Sequence, residues 1–169
     1  MLSGLKKKFA YYRVNKVYAG TNPKHWEKKR KILNSIGHDI GEGTKIVGPV
    51  LLQGTLHTGK NAYINLDFSV LGLGHVYIGD NCDVAPKVTC LTGSHKIGDA
   101  SRRAGEGTTD DIKIGSGSWI CAKSTIIGGS NIGKGVVVSA GSVVNKDTPD
   151  DVLIGGVPAK VIKLLENKS

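Results

Sequence analysis

The sequence is poor in aromatic residues, prolines and cysteines, and it has no long apolar run. Phe, Trp and Tyr together make up 5% of its 169 residues, and only five prolines are present. No stretch approaches the roughly 18 apolar residues of a membrane-spanning helix. The first eight residues also lack the apolar segment of a secretory signal. These absences predict one cytoplasmic domain whose core is built from aliphatic side chains.

Glycine is abundant instead, with 24 residues, and an aliphatic side chain recurs at every sixth position. A period of six fits neither an amphipathic helix, with a period near 3.6, nor an ordinary strand, with a period of 2. It is typical of short flat strands joined by tight corners, with each aliphatic side chain pointing into a narrow axial core. The positions are Ile40, Ile46, Leu52, Thr58, Ile64, Val70, Ile78, Val84, Cys90, Ile114, Ile120, Ile126, Ile132, Val138 and Val144.

A second inward position follows four residues later, and its residues are small or thin. This pattern predicts an all-β solenoid, a parallel β-helix of hexapeptide repeats, over residues 38–160, with a short C-terminal tail at 161–169. Cys82 and Cys90 fall on inward positions, so they are interpreted as core residues, and Cys121 has no metal-ligand spacing. The second inward positions are Thr44, Val50, Ala62, Cys82, Val88, Ser94, Ser118, Ser124, Ser130, Val136 and Ser142.

The ladder is interrupted twice. The step from Val70 to Ile78 is eight residues, and the step from Cys90 to Ile114 is 24. Residues 96–111 are polar and rich in glycine, so we expect a protruding loop without secondary structure of its own. Insertions into a solenoid become loops on one face, which is often the binding face.

Positive charge is concentrated in an N-terminal segment, residues 1–37, that carries no hexapeptide ladder. Residues 1–31 hold ten Lys/Arg and one Glu, a net charge of +9, whereas the remainder holds 13 basic and 13 acidic residues. Two helices are expected here, the second after Asn22 and closed by Gly37. Without a recognised motif, nucleic acid is a poor partner. An anionic membrane surface and a solvated cap on the open end of the coil both remain open.

His95 stands directly before the long interruption. Histidine titrates near neutral pH, which suits removal of a proton from a hydroxyl group. An exposed corner histidine without a chemical role is the alternative. His57 and His75 occupy the same sixth position, so a column of three histidines that binds zinc, as in a metal-binding hydratase, is a further alternative.

Six segments together resemble the hexapeptide acyltransferases, especially the galactoside and maltose O-acetyltransferases. The similarity covers about residues 40–165. Residues 95–98 followed by 103–105 are more similar still to enzymes that O-acetylate capsule and exopolysaccharide sugars. The six segments are residues 61–67, 78–81, 92–95, 114–120, 140–147 and 156–162.

The resemblance implies a left-handed coil, a homotrimer and an active site between two subunits that uses acetyl-CoA and no metal. His95 matches the catalytic base, and the backbone N–H of Ala122, at the donor site, matches the oxyanion donor. Trp119 matches an aromatic residue along the pantetheine arm. The other matching donor positions are Ala140, Asn145 and Lys146, which line coenzyme A, and Lys160, near its nucleotide phosphate.

The acceptor positions depart partly from the pattern. Asn65 matches a sugar-binding Asn, Asp67 stands where a second Asn is common, and Leu73 replaces an acidic sugar ligand. Arg102 and Arg103 in the loop either hold an anionic group of the acceptor or form a solvated pair without a role in binding. A glycan larger than a free galactoside or maltose is therefore expected.

The resulting hypothesis is an acetyl-CoA-dependent O-acetyltransferase. It would act on a sugar hydroxyl of a bacterial surface polysaccharide or its precursor in the cytoplasm, with peripheral binding to the inner face of the membrane left open. Three alternatives remain open at this stage. They are an N-acetyltransferase of a nucleotide-linked amino sugar, a metal-binding hydratase and a non-catalytic β-helix.

Overall fold

The computed structural model describes residues 2–166 and their side chains from Gly4 onward. The chain from residue 39 winds through about six coils, and equivalent strands of successive coils stack into three parallel sheets. Sheet A contains β1 (Asp39–Ile40), β4 (Thr55–Thr58), β7 (His75–Ile78), β12 (Ile112–Ile114) and β15 (Asn131–Ile132). Sheet B contains β2 (Lys45–Ile46), β5 (Tyr63–Ile64), β8 (Asp83–Val84), β13 (Trp119–Ile120), β16 (Val137–Val138), β18 (Val152–Gly156) and β19 (Ala159–Leu164). Sheet C contains β3 (Val50–Leu52), β6 (Phe68–Leu71), β9 (Thr89–Leu91), β14 (Thr125–Ile127) and β17 (Val143–Val144).

The predicted axial ladder is confirmed. All fifteen positions are buried, and the weakest member of the series, Thr58, is 8% exposed. The second inward positions are buried as well, apart from Ser94. The prediction for Ser94 was wrong because the chain leaves the coil at Gly93.

The corners between sheets require unusual backbone angles. At the corner that joins sheet A to sheet B, Asn61 and Asn81 have φ of 56° and 54°. Asn, Asp and Gly tolerate this left-handed region best. The corner between sheets B and C makes the same demand at Asp67, Lys87 and Lys123, with φ of 59°, 62° and 61°. Asn and Asp meet this demand with little strain, whereas Lys87 and Lys123 adopt the same angle at a conformational cost.

The long interruption forms an antiparallel β-hairpin, with β10 at Gly93–Ile97 and β11 at Ala104–Thr109. The prediction of a structureless loop at 96–111 was wrong. Antiparallel pairing has a period of two, so a search for a period of six misses it. Gly98 permits a tight turn, since a Cβ there would lie 2.4 Å from the carbonyl oxygen of Arg102. The hairpin leaves the coil between sheets C and A, after β9 and before β12.

The N-terminal segment forms α1 (Leu2–Tyr12), a π-helix (Arg13–Val17) and α2 (Pro23–Asn34). The side chain of Asn22 caps α2 by accepting the N–H of Lys24 at 3.1 Å. The Asn15 side chain donates a hydrogen bond to the carbonyl of Val50 at 2.8 Å and accepts one from the N–H of Val50 at 2.9 Å. These two hydrogen bonds hold the N-terminal helices against sheet C. No helix within residues 2–166 is long and apolar enough to cross a membrane.

The coil closes at its C-terminal end with β18 and β19, which pair antiparallel. The expected boundary at residue 160 therefore falls inside β19, which continues to Leu164.

Candidate active site

His95 lies in the hairpin, directly opposite Gly107. Its Nδ1 is 2.8 Å from the carbonyl oxygen of Gly105. A carbonyl can only accept a hydrogen bond, so Nδ1 carries the proton and Nε2 presents the free lone pair. A Cβ at Gly107 would meet nothing within 4 Å, so the space beside the histidine is open. The hairpin thus holds an exposed imidazole in the tautomer of a general base.

A groove of about 440 Å³ lies on the outward face of sheet B. It brings together Asn65 and Trp119, which the sequence predicts as site residues. The side-chain oxygen of Asn65 accepts the N–H of Leu66 at 2.8 Å, so its NH₂ group remains available as a donor. The groove is lined by Tyr63, Asn65, Asp83, Val84, Ala85 and Trp119.

Sequence reasoning missed two residues of this groove, Tyr63 and Asp83. The register pairs Tyr63 with Asp83 and Asp83 with Trp119 on three neighbouring strands. Each of the three residues directly precedes an inward position of the ladder. Counting the ladder one residue earlier would therefore have identified the row.

Ala122 lies at the corner that follows sheet B. Within residues 2–166 its N–H has no acceptor, while its carbonyl accepts the N–H of Gly141 at 2.9 Å. The N–H of Ala140, one coil further along, is likewise without an acceptor in the described part of the chain. Two backbone donors therefore stand on one corner, spaced by the strand separation of about 4.8 Å.

The two lysines predicted at the donor site share a cavity of about 260 Å³ near the C-terminal end of the coil. Lys146 and Lys160 both line this cavity, together with Asp147 and Thr148. Asn145 is exposed at the preceding position but does not line it.

Other predicted site residues lie apart. Asp67 does not line the groove, and its left-handed φ of 59° is itself a reason for Asp at this corner. Arg102 and Arg103 occupy the hairpin tip, where the Arg103 guanidinium donates to the carbonyl of Gly98 at 3.2 Å. Because residues are spaced by about 3.3 Å along a strand, the tip lies roughly 7–10 Å beyond His95.

The proposed base and the groove lie on different sides of one chain. The hairpin leaves between sheets C and A, whereas Asn65 and Ala122 lie between sheets B and C. Sheet C separates the two corners. A single chain therefore does not bring His95 to the groove that holds Trp119.

The alternative of a column of three histidines is not realised. His57 and His75 meet on sheet A, with Nε2 and Nδ1 2.9 Å apart, whereas His95 lies on the hairpin. Their ring centroids are 5.2 Å apart and the ring planes differ by 22°, which describes two imidazoles joined by an N–H···N bond. No group of three or more His, Cys, Asp or Glu within residues 2–166 is placed to hold a metal ion.

Comparison with known proteins gives three informative relatives. The chain is 32% identical over 150 residues to the galactoside O-acetyltransferase of Escherichia coli K12, covering 88% of this chain and 74% of that protein. A hexapeptide-repeat acetyltransferase of Vibrio cholerae, complexed with acetyl-coenzyme A, superposes with a TM-score of 0.83 at 26% identity, covering 98% and 88% of the two chains. The polysialic-acid-specific acetyltransferase NeuO superposes with a TM-score of 0.67 at 29% identity, covering 78% and 64%.

No protein-family model matches the sequence. The identity to the galactoside enzyme extends over most of both chains, and the fold agrees over almost the full length with the Vibrio enzyme. The chain is therefore an acyltransferase that belongs to the hexapeptide-repeat acetyltransferase family.

Proposed function

We propose that the protein transfers an acetyl group from acetyl-CoA to a sugar hydroxyl of a bacterial surface polysaccharide or its precursor, with His95 as general base. The observation that carries this proposal is the hydrogen bond from His95 Nδ1 to the carbonyl of Gly105, which in the neutral imidazole places the lone pair on Nε2. The hydroxyl proton passes to Nε2 while the hydroxyl oxygen attacks the thioester carbonyl. The N–H of Ala122 stabilises the resulting oxyanion. The C–S bond then breaks, and the imidazolium returns its proton to the coenzyme A thiolate.

Donor and acceptor would enter from opposite ends of this site. Lys146 and Lys160, near the C-terminal end of the coil, supply two cations for the coenzyme A phosphates, and Ala140 supplies a further N–H toward the donor. Asn65, two coils before Ala122, supplies an amide for the sugar. Holding both substrates in this order would raise the rate of transfer by orienting the hydroxyl group toward the thioester.

A homotrimer would complete the site. Sheet C presents a row of outward side chains without a single charge, whereas sheet A presents Asp39 and Lys113 and sheet B presents Lys45 and Asp83. An uncharged face is the expected contact between subunits. The outward residues of sheet C are Leu51, Ser69, Leu71, Thr89, Leu91, Thr125, Ile127 and Val143.

Rotational symmetry supports this arrangement. A three-fold axis parallel to the coil keeps every residue at the same height in all subunits. The hairpin with His95 leaves between the third and fourth coils, and Trp119 and Ala122 lie in the fourth. With sheet C facing the axis, His95 of one subunit would reach the groove of the next.

Sedimentation tests the assembly. We expect a trimer for the wild type and dissociation with loss of turnover for Leu91→Asp, because the substitution places a charge on sheet C. Tyr77→Asp, which places the same charge on sheet A, is the matched control and should remain trimeric and active. A monomer that still transfers acetyl groups would contradict the proposal.

Transfer itself is tested by incubating the protein with acetyl-CoA and a panel of glycans, and measuring the mass gain of one acetyl group. We expect O-acetylation of polymeric or lipid-linked glycans. Leu73 stands where the galactoside enzymes have an acidic sugar-binding residue, and it is 79% exposed. NeuO, named as specific for polysialic acid, provides a precedent in the family. Acetylation of nucleotide-linked amino sugars alone would replace this proposal by N-acetyl transfer.

The N-terminal helix supports peripheral binding to an anionic membrane. Leu5, Phe9 and Tyr12 are 69%, 61% and 58% exposed, on the side of α1 opposite the buried Ala10 and Val14. Lysines at positions 6 and 8 flank this apolar stripe. An exposed apolar stripe between cationic flanks is typical of helices that lie in a membrane interface.

Vesicle flotation tests this part of the proposal. We expect the protein to bind vesicles containing phosphatidylserine at low salt and to be released by about 0.5 M salt. Phe9→Ser should weaken binding without loss of the fold, since the side chain is exposed, whereas Tyr77→Ser should not. If the intact protein does not bind anionic vesicles at low salt, the N-terminal segment only caps the end of the coil.

A further inference from the structure

We propose that Asp83 selects the acceptor, by holding an uncharged pyranose through two adjacent hydroxyl groups in the groove on sheet B. Its carboxylate stands between Tyr63 and Trp119 on neighbouring strands. Because strands are about 4.8 Å apart, the two aromatic residues bracket the acid across about 10 Å. This inference rests on the proposed function, because it names the part of the acceptor that the enzyme holds.

The fold gives no reason for an acid at this position. Asp80 and Asp150 lie at corners, where they accept the backbone N–H groups of Lys60 and Lys134 at 2.6 and 2.7 Å. Asp83 lies instead on the outward face of β8 and is exposed. Within residues 2–166 its carboxylate forms neither a hydrogen bond nor an ion pair. A carboxylate that the fold does not use remains available for a ligand.

The order of residues along the coil puts Asp83 on the acceptor side. Ala122, Ala140 and Lys160, which we assign to the donor, belong to the fourth and later coils, whereas Asn65 belongs to the second. Asp83 belongs to the third coil, directly after which the hairpin with His95 leaves. In the proposed trimer, a sugar held here would lie at the height of the hairpin of the neighbouring subunit, next to the proposed base.

The chemistry of the row fits a neutral sugar. Two carboxylate oxygens accept hydrogen bonds from two neighbouring hydroxyl groups, and bonds to a charged acceptor are stronger than neutral ones. The Tyr63 ring on the acceptor side of the acid covers an apolar face of a pyranose, while Trp119 lies toward the donor. The NH₂ group of Asn65 adds a donor for a sugar oxygen. A uronic or sialic acid unit at this position would be repelled by the like charge of Asp83.

A glycan array tests the inference, with coenzyme A in place of acetyl-CoA so that no turnover occurs. Wild type, Asp83→Asn and Asp39→Asn are compared, the last removing an outward carboxylate from sheet A. We expect Asp83→Asn to bind neutral oligosaccharides about 10- to 100-fold more weakly than the wild type, with Asp39→Asn unchanged. The wild type should prefer neutral to uronic-acid-terminated glycans, and Asp83→Asn should lose this preference. Calorimetry should give one coenzyme A affinity for all three proteins.

Two results would overturn the role of Asp83. One is glycan binding by Asp83→Asn equal to that of the wild type, and the other is a wild-type preference for acidic glycans. Acetyl transfer to the same array separates this inference from the proposed function. If the protein transfers acetyl groups and Asp83→Asn binds the acceptor as the wild type does, the Asp83 inference alone is wrong. If the wild type neither acetylates nor binds any glycan, both the Asp83 inference and the proposed function are wrong.

Discussion

The coil and the hairpin use the same residue types for opposite purposes. Ile120, in the coil, is fully buried, whereas Ile97, in the hairpin, is 87% exposed. In the coil every sixth side chain enters the core, and the corners adopt left-handed backbone angles. In β10 the four residues 94–97 are exposed, including His95. The difference indicates that stability resides in the coil, whereas the hairpin is free to carry chemistry.

The largest expected effect is on turnover, from the hairpin. His95→Ala should lower kcat by roughly 10²–10⁴, the range for a positioned general base, while acetyl-CoA affinity stays near that of the wild type. The free energy of unfolding should change little because the side chain is exposed. Steady-state kinetics and calorimetry check both expectations. His57→Ala, on sheet A, is the matched control, and a His95→Ala variant with most of its turnover would place the base elsewhere.

The coil should show the reverse behaviour. Ile120→Ala removes a fully buried side chain and should lower the free energy of unfolding by about 2–5 kcal/mol, as measured by chemical denaturation. Ile97→Ala, the same substitution in the hairpin, should cost less than about 0.5 kcal/mol. An equal cost at the two positions would show that the hairpin is buried in the assembly, and the contrast would then not hold.

This contrast also explains how far the sequence could predict the molecule. A period of six has one structural solution, so the ladder from Ile40 to Val144 could be predicted residue by residue. The hairpin could not, because its antiparallel pairing leaves no signal in that period. For the candidate site, His95 was predicted from its position before the long interruption and from family resemblance, and Trp119 from the resemblance alone.

Asp83 was missed for a related reason. It stands on an outward position, where the fold accepts any residue, and the family pattern does not mark it. A count of the ladder one residue earlier places it in a row with Tyr63 and Trp119, and the strand register shows that it stands between them.

Lys29 provides a smaller test. It lies in the N-terminal segment, outside the ladder, yet it is buried. Its ammonium donates to the carbonyls of Gly20 and Val47, each at 3.0 Å, and has no carboxylate partner in the described part of the chain. Burial lowers the pKa of Lys29 from 10.5 to about 8. Between these values the unfolded chain binds more protons than the folded chain, so the contribution of Lys29 to stability rises with pH.

The measurement is a difference between two proteins. Burial raises the pKa of the Cys90 thiol to about 12, so the contribution of Cys90 to stability falls as the pH rises above 9. Subtracting the unfolding free energy of Lys29→Met from that of the wild type cancels the contribution of the cysteines, which is the same in both proteins. We expect this difference to grow by about 1–3 kcal/mol from pH 8 to 10.5. Lys113→Met, on an exposed lysine, should give a flat difference, and a flat result for Lys29→Met would mean that the ammonium is solvated.

The smallest effect is expected at the hairpin tip, where Asp99 holds the turn by accepting the backbone N–H groups of Ser101 and Arg102 at 2.9 and 3.3 Å. The Arg102 side chain has no partner within residues 2–166 and is exposed. If it meets an anionic group of the acceptor, Arg102→Ala should raise the acceptor KM about 3- to 5-fold, the worth of one exposed ion pair. The effect should fade at high salt, because exposed charges are screened. Acetyl-CoA KM should not change, and Lys113→Ala should alter neither constant. A rise in the acetyl-CoA KM instead would assign the tip to the donor, and the hairpin would then serve both substrates.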